Sequence, residues 1–137
     1  MARLKDTQAY LLPYHHTRDM GRFSDGSESV TFTREEFESL IKVFLRAVEV
    51  DEDWYRSEYD DVDAAIVAGS FRSARHHFIQ NGYREGRRPA PVVVDENWYG
   101  KIYSDVTRSL EFGEIESYQE HFDKYGESEG RFPFQLA

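Results

Sequence analysis

Hydrophobic and polar residues change their rhythm at Thr33. Before it, residues 1–32 show no helical period and carry Pro13, Gly21 and Gly26 beside Ser24, Asp25, Ser27 and Ser29, the texture of loops or a short hairpin. Gln8 to Tyr14 and Val30 to Thr33 are the stretches suited to run extended, with Asp25-Gly26 as the turn between them. From Thr33 the period is helical. Phe37, Leu40, Ile41, Phe44 and Val48 recur at i, i+3, i+4, i+7 spacing, and Val43, Leu45 and Ala47 widen the stripe. Thr33 and Glu36 stand at capping-box spacing, so the pattern predicts a helix from Thr33 to about Val48.

Beyond that helix the pattern is written twice. Residues 50–89 align with 94–133 at a constant offset of 44 without a gap, and 17 of the 40 positions are identical. Each copy opens on Val-Asp-Glu, continues through Trp54-Tyr55 or Trp98-Tyr99 to Tyr59-x-Asp61-Val62 or Tyr103-x-Asp105-Val106, and reaches Gly69 or Gly113. Ser73 or Ser117, then His77-Phe78 or His121-Phe122, then Gly-x-x-Glu-Gly-Arg follow. Such self-similarity marks duplication of one structural unit. Asp51 and Asp95 suit the N-cap of a short first helix, and Asp61 and Asp105 that of a second ending before the glycine. A third helix runs from about Ser73 or Ser117 to Gly82 or Gly126. Pro89, Pro91 and the valines 92–94 form the connector, with Pro133 at the equivalent exit. The expectation is an all-α fold of two tandem helical units packed with the preceding amphipathic helix. Residues 1–32, 33–49, 50–89 and 94–133 then form one compact domain with a shared core. The broad stripe of residues 34–48 implies burial on two sides, between the repeats or against another subunit.

Composition narrows the classes of function. The net charge of −9 divides into −1 for residues 1–49, −2 for 50–89 and −6 for 94–133, so acidity is concentrated in the second copy. Phosphate backbones and anionic membrane surfaces demand clustered Lys and Arg, which argues against nucleic acid as partner; the one dense basic cluster is Arg84, Arg87 and Arg88. The absence of cysteine excludes disulfide scaffolding, thiolate catalysis and Cys-based zinc sites. No run approaches the roughly 20 apolar residues that span a bilayer, so the sequence predicts no membrane insertion and a cytoplasmic location.

The pattern Asp-x-x-Trp-Tyr-x-x-x-Tyr-x-Asp-Val, then His-Phe-x-x-x-Gly-x-x-Glu-Gly-Arg, resembles short repeats attached to bacterial glycosyltransferases and to large bacterial surface or secreted proteins. It covers residues 50–89 and 94–133. Asp60 and Ser104 stand where those repeats commonly have proline. The resemblance implies an accessory module without catalysis of its own, in a polysaccharide-related setting.

Candidate chemistry is weighed against the needs of the fold. His77 and His121 recur and titrate near neutrality, which suits a ligand or proton carrier. Each neighbours a phenylalanine on a predicted core face, where bonding to a carbonyl or repeat carboxylate is the favoured reading, and neither has a second metal ligand at i+4. Trp54 and Trp98 can serve as stacking platforms for sugar rings or as core anchors. Arg87 and Arg131, after a glycine at a helix exit, can grip a carboxylate or phosphate bidentately or bond Glu85 or Glu129 within the copy. Arg84 and Arg88 extend that surface in the first copy. An EF-hand reading of the acidic run at Asp51 fails, because its sixth and twelfth positions hold Arg56 and Val62. No nucleophile elbow, phosphate-binding loop or His-Glu-x-x-His motif is present.

The sequence therefore points to a non-enzymatic protein-interaction or accessory module without metal or cofactor, with a homodimer through helix 34–48 as one form of partnership. A carbohydrate-binding module using the repeat aromatics is the alternative. An enzyme acting on an acidic or phosphorylated small molecule through the arginines and histidines is the weaker one.

Overall fold

The computed structural model describes residues 8–20, 22–23 and 28–137. Within them the protein is all-α apart from a two-residue hairpin. Pro13 presets the backbone for a short helix, α1 (Tyr14–Arg18). Strands β1 (Arg22–Phe23) and β2 (Val30–Thr31) then pair antiparallel, Arg22 opposite Thr31 and Phe23 opposite Val30. The hairpin is thus real, but its first strand lies at 22–23; the stretch 8–14 expected to be extended leads into α1 instead. The Asp25-Gly26 turn lies outside the described residues. No described helix is long and apolar enough to cross a membrane.

Helix α2 (Arg34–Leu45) begins where its cap predicts, with the Thr33 hydroxyl accepting from the Glu36 N–H at 3.1 Å. It ends at Leu45, three residues short of the expected Val48, and gives way to i→i+3 turns in which the Ala47 and Val48 N–H donate to the Phe44 and Leu45 carbonyls. Its apolar stripe does not lie as the periodicity placed it. Leu45 joins the core of the first copy with Ile41 and Val48 packed against it, whereas Phe37 and Phe44 remain 52% and 50% exposed. Periodicity fixes which residues share a side of a helix, and here those residues exceed what the copy can cover.

In the first copy, α3 (Glu52–Glu58) and α4 (Asp60–Val67) meet at Tyr59, and α5 (Ala74–His77) continues into a π-helical turn over Phe78–Gly82. The second copy repeats this as α6 (Glu96–Ile102), α7 (Ser104–Glu111), α8 (Tyr118–His121) and a π-helical turn over Phe122–Gly126. Caps account for the starts: Asp51 and Asp95 accept from the N–H of Trp54 and Trp98 at 3.0 and 3.1 Å. Ser73 and Ser117 accept from His76 and Glu120, both at 3.0 Å. Asp61 and Asp105 do not cap α4 and α7, which start at Tyr59 and Tyr103 without a side-chain cap; both lie in the first turn and bond elsewhere.

The chain divides into two compact units, 1–91 and 92–137. Each has its own core: Leu45, Tyr55, Val62, Ala74 and Phe78 in the first, Val94, Tyr99, Val106 and Phe122 in the second. The reason is that each copy closes on itself. The Asp51 N–H donates to the Pro89 carbonyl and the Asp95 N–H to that of Pro133, both at 2.9 Å, so a copy begins and ends at one place.

Candidate functional site

The shared residues of the motif converge on one arrangement, built twice. Tyr55 and Tyr99 are wholly buried, and their hydroxyls meet Nδ1 of His77 and His121 at 2.9 Å in each copy. Against this pair the π-helical turn brings a glycine. A Cβ on Gly82 would stand 2.2 Å from the Tyr55 hydroxyl oxygen, and one on Gly126 would stand 2.4 Å from that of Tyr99. The widened turn, with Tyr83 N–H bonded to the Phe78 carbonyl and Glu127 N–H to that of Phe122, both at 3.0 Å, is what admits the phenol. His77 Nε2 lies 3.8 Å from a Glu85 oxygen. With the ring proton there, Nδ1 accepts from the Tyr55 hydroxyl. Burial pushes the His77 pKa down, a cost only partly offset by Glu85, and raises those of Tyr55 and Tyr99. The His77 ring and the Tyr55 phenol are therefore neutral near pH 7.

The closing Glu-Gly-Arg fastens the copy from outside. Gly86 adopts φ +77°, a conformation disfavoured for residues with a Cβ, and the Arg87 N–H then reaches back to the Gly82 carbonyl at 2.9 Å. This swings the guanidinium onto Asp61 as a two-pronged fork at 3.0 and 2.7 Å, with Nε on Glu85 at 2.8 Å. The same cation lies over the Tyr59 ring at 4.8 Å. Arg131 repeats each contact with Asp105, Glu129 and Tyr103. The bond to its arginine holds each aspartate below the usual carboxylate range and raises the arginine further. Tyr59 and Tyr103 complete the closure by accepting from Arg88 and Phe132 N–H at 2.9 Å.

These contacts place every residue the sequence singled out. His77 and His121 serve the cores, and among the described residues no three His, Cys, Asp or Glu form a metal cluster. Arg87 and Arg131 are engaged within their copies. Trp54 and Trp98 are half-buried against the cores, edge-on to Tyr59 and Tyr103 at 6.1 Å, and the tyrosine that follows each is buried. Arg84 is exposed and donates to the Gln80 carbonyl at 3.2 Å.

A second arrangement lies outside the shared motif, because only the first copy carries it. In the first unit a cavity of about 260 Å³ is lined by Arg46, Arg72, Arg75 and His76 together with Gln8 and Gln80. Arg75 is only 3% exposed and donates to the carbonyls of Val48, at 2.6 Å, and Arg46. Tyr10, also at the rim, ties the N-terminal segment down by an N–H bond to the Arg46 carbonyl at 2.8 Å. Sequence did contain a signal: at offset 44 from Arg72, Arg75 and His76 stand Glu116, Gln119 and Glu120. The protein matches no family model, no curated protein and no solved structure.

Proposed function

We propose that the chain is a non-enzymatic protein-interaction module whose docking face is the Phe37 and Phe44 side of α2, and that the partner is a second copy of the same helix. The observation that carries this reading is the pair of half-exposed phenylalanines two turns apart on one helix that is otherwise anchored in the core of its unit. An antiparallel second copy fits the charges. The first turn of α2 carries Glu35 and Glu36 and its last turn Lys42, followed by Arg46, so reversal sets acidic ends against basic ones and opposes the helix dipoles. The engagement of the motif's arginines and histidines within each copy supports an accessory role over catalysis. The resemblance of the repeats makes bacterial polysaccharide and envelope assembly the setting in which to look for the module at work.

Sedimentation of the full chain over a concentration series tests this. The expected result is a reversible dimer, abolished by Phe37→Glu with Phe44→Glu while helicity is retained. A wild-type monomer at every concentration, or a dimer indifferent to the two substitutions, overturns it.

A further inference from the structure

We propose that the cavity bounded by Arg46, Arg72, Arg75 and His76 binds a small phosphate monoester. In a chain of net charge −9, three arginines and a histidine line the space, and among the described residues no Asp or Glu does. Guanidinium forks match the oxygens of a phosphate, and amide side chains such as Gln8 and Gln80 supply donors and acceptors for the organic part. A volume of about 260 Å³ suits a compact metabolite.

The second copy is the control that separates fold from function. Gln119 stands where Arg75 does and makes the corresponding tie, its amide donating at 2.9 Å to the carbonyl of Val92, the counterpart of Val48. That tie needs a donor and no charge. Yet the first copy buries a guanidinium, whose pKa burial pushes down against the pull of Glu52 and Glu49. The Glu52 carboxylate itself accepts from the backbone N–H of Ala74 and Arg75, at 2.8 and 2.9 Å.

The neighbouring turn gives the same comparison. The Arg72 N–H donates to His76 Nδ1 at 3.1 Å, and the Glu116 N–H donates to a Glu120 oxygen at 2.6 Å. One backbone bond is made by an imidazole nitrogen in the first copy and by a carboxylate in the second, so the local fold does not dictate which of the two stands there. With Nδ1 accepting, the proton of neutral His76 sits on Nε2, as a donor. An anion in the cavity explains the buried cation, the basic rim and their absence from the copy that shares the scaffold.

The test is titration of the full chain with glycerol phosphate, inorganic phosphate and chloride at constant ionic strength, followed by amide chemical shifts. Glycerol phosphate is expected to give saturable shifts at Arg72, Arg75 and His76 and none at Glu116, Gln119 and Glu120, with inorganic phosphate weaker. Arg75→Gln keeps the backbone tie, and Arg72→Glu with His76→Glu copies the second unit. Each of these variants should keep the native spectrum and weaken binding about tenfold or more, as expected for lost charge-assisted bonds. Shifts that chloride reproduces, inorganic phosphate binding tighter than the ester, or full affinity in either variant overturns the proposal. So does a chain that binds phosphatidic acid vesicles and not the soluble ester, which would make the anion a lipid headgroup.

Discussion

Gly82 should be irreplaceable because of a single oxygen atom. A methyl group there would lie 2.2 Å from the Tyr55 hydroxyl oxygen and 3.3 Å from His77 Nδ1 and Phe78 Cδ2. The phenol has nowhere to retreat: Tyr55 is wholly buried, its ring packs edge-on against Tyr59 and Phe78, and its hydroxyl is bonded to His77 at 2.9 Å. Breaking that buried bond costs about 1–3 kcal/mol, and forcing extra volume into a filled core costs a similar amount, about 1–3 kcal/mol. The helix preference of alanine over glycine returns about 1 kcal/mol. Gly82→Ala is therefore expected to destabilise the first unit by roughly 1–5 kcal/mol, the sum of those terms. The decisive measurement is the double-mutant cycle with Tyr55→Phe, by urea unfolding followed through the amide signals of Tyr55, Val62 and Phe78. Tyr55→Phe alone should cost about 1–3 kcal/mol, since it leaves His77 without its partner. In that background the methyl meets no hydroxyl, and Gly82→Ala should cost close to nothing. Equal costs in the two backgrounds would refute the reasoning. Gly126→Ala with Tyr99→Phe repeats the experiment independently in the second unit, where the approach is 2.4 Å.

Three further outcomes follow from the same contacts. Arg87→Lys loses the fork on Asp61, and because the Asp61 side chain is largely exposed the loss should be limited to about 1 kcal/mol, with the coupling seen in a cycle with Asp61→Asn. Asp51→Ala and Asp95→Ala should each cost about 1 kcal/mol in chemical denaturation, from the lost N-cap. Acid should act in two stages in a series of melting temperatures against pH. His77 is held below its ordinary 6.5 chiefly by burial, so stability present above that pH is lost as pH falls from there towards the folded-state value. Asp61 and Asp105 are held below 3.8 chiefly by their arginines, so their contribution is intact above that pH and lost below it. His77→Gln should remove the first stage and keep the second.

What the sequence revealed was local. Thr33, Asp51, Asp95, Ser73 and Ser117 announce helix starts because a cap and the N–H it accepts from lie within three residues of each other. Asp61 and Asp105 looked like caps for the same reason, but their partners lie 26 residues onward, beyond what spacing can reveal. The π-helical turn was likewise hidden, since its cause is the Tyr55 hydroxyl, 27 positions before Gly82. The helical period of α2 was visible while the direction of its apolar side was not, because Phe37 and Ile41 look alike in a pattern although only the latter packs against the core. The basic cavity draws on Arg46 and Gln8 as well as on the first copy, so no motif within one copy contains it.

The bonds that join Asp51 to Pro89 and Asp95 to Pro133 bear on how such a chain can lengthen. A stretch whose two ends meet leaves the neighbouring chain where it was, so inserting one after another disturbs no register, and the second copy closes an interior of its own. Duplication of 44 codons, from residue 50 to residue 94, is then an almost silent event for folding. The new copy arrives already folded by its own contacts, and its outward residues are released to change sign, as Arg72 and Glu116 have.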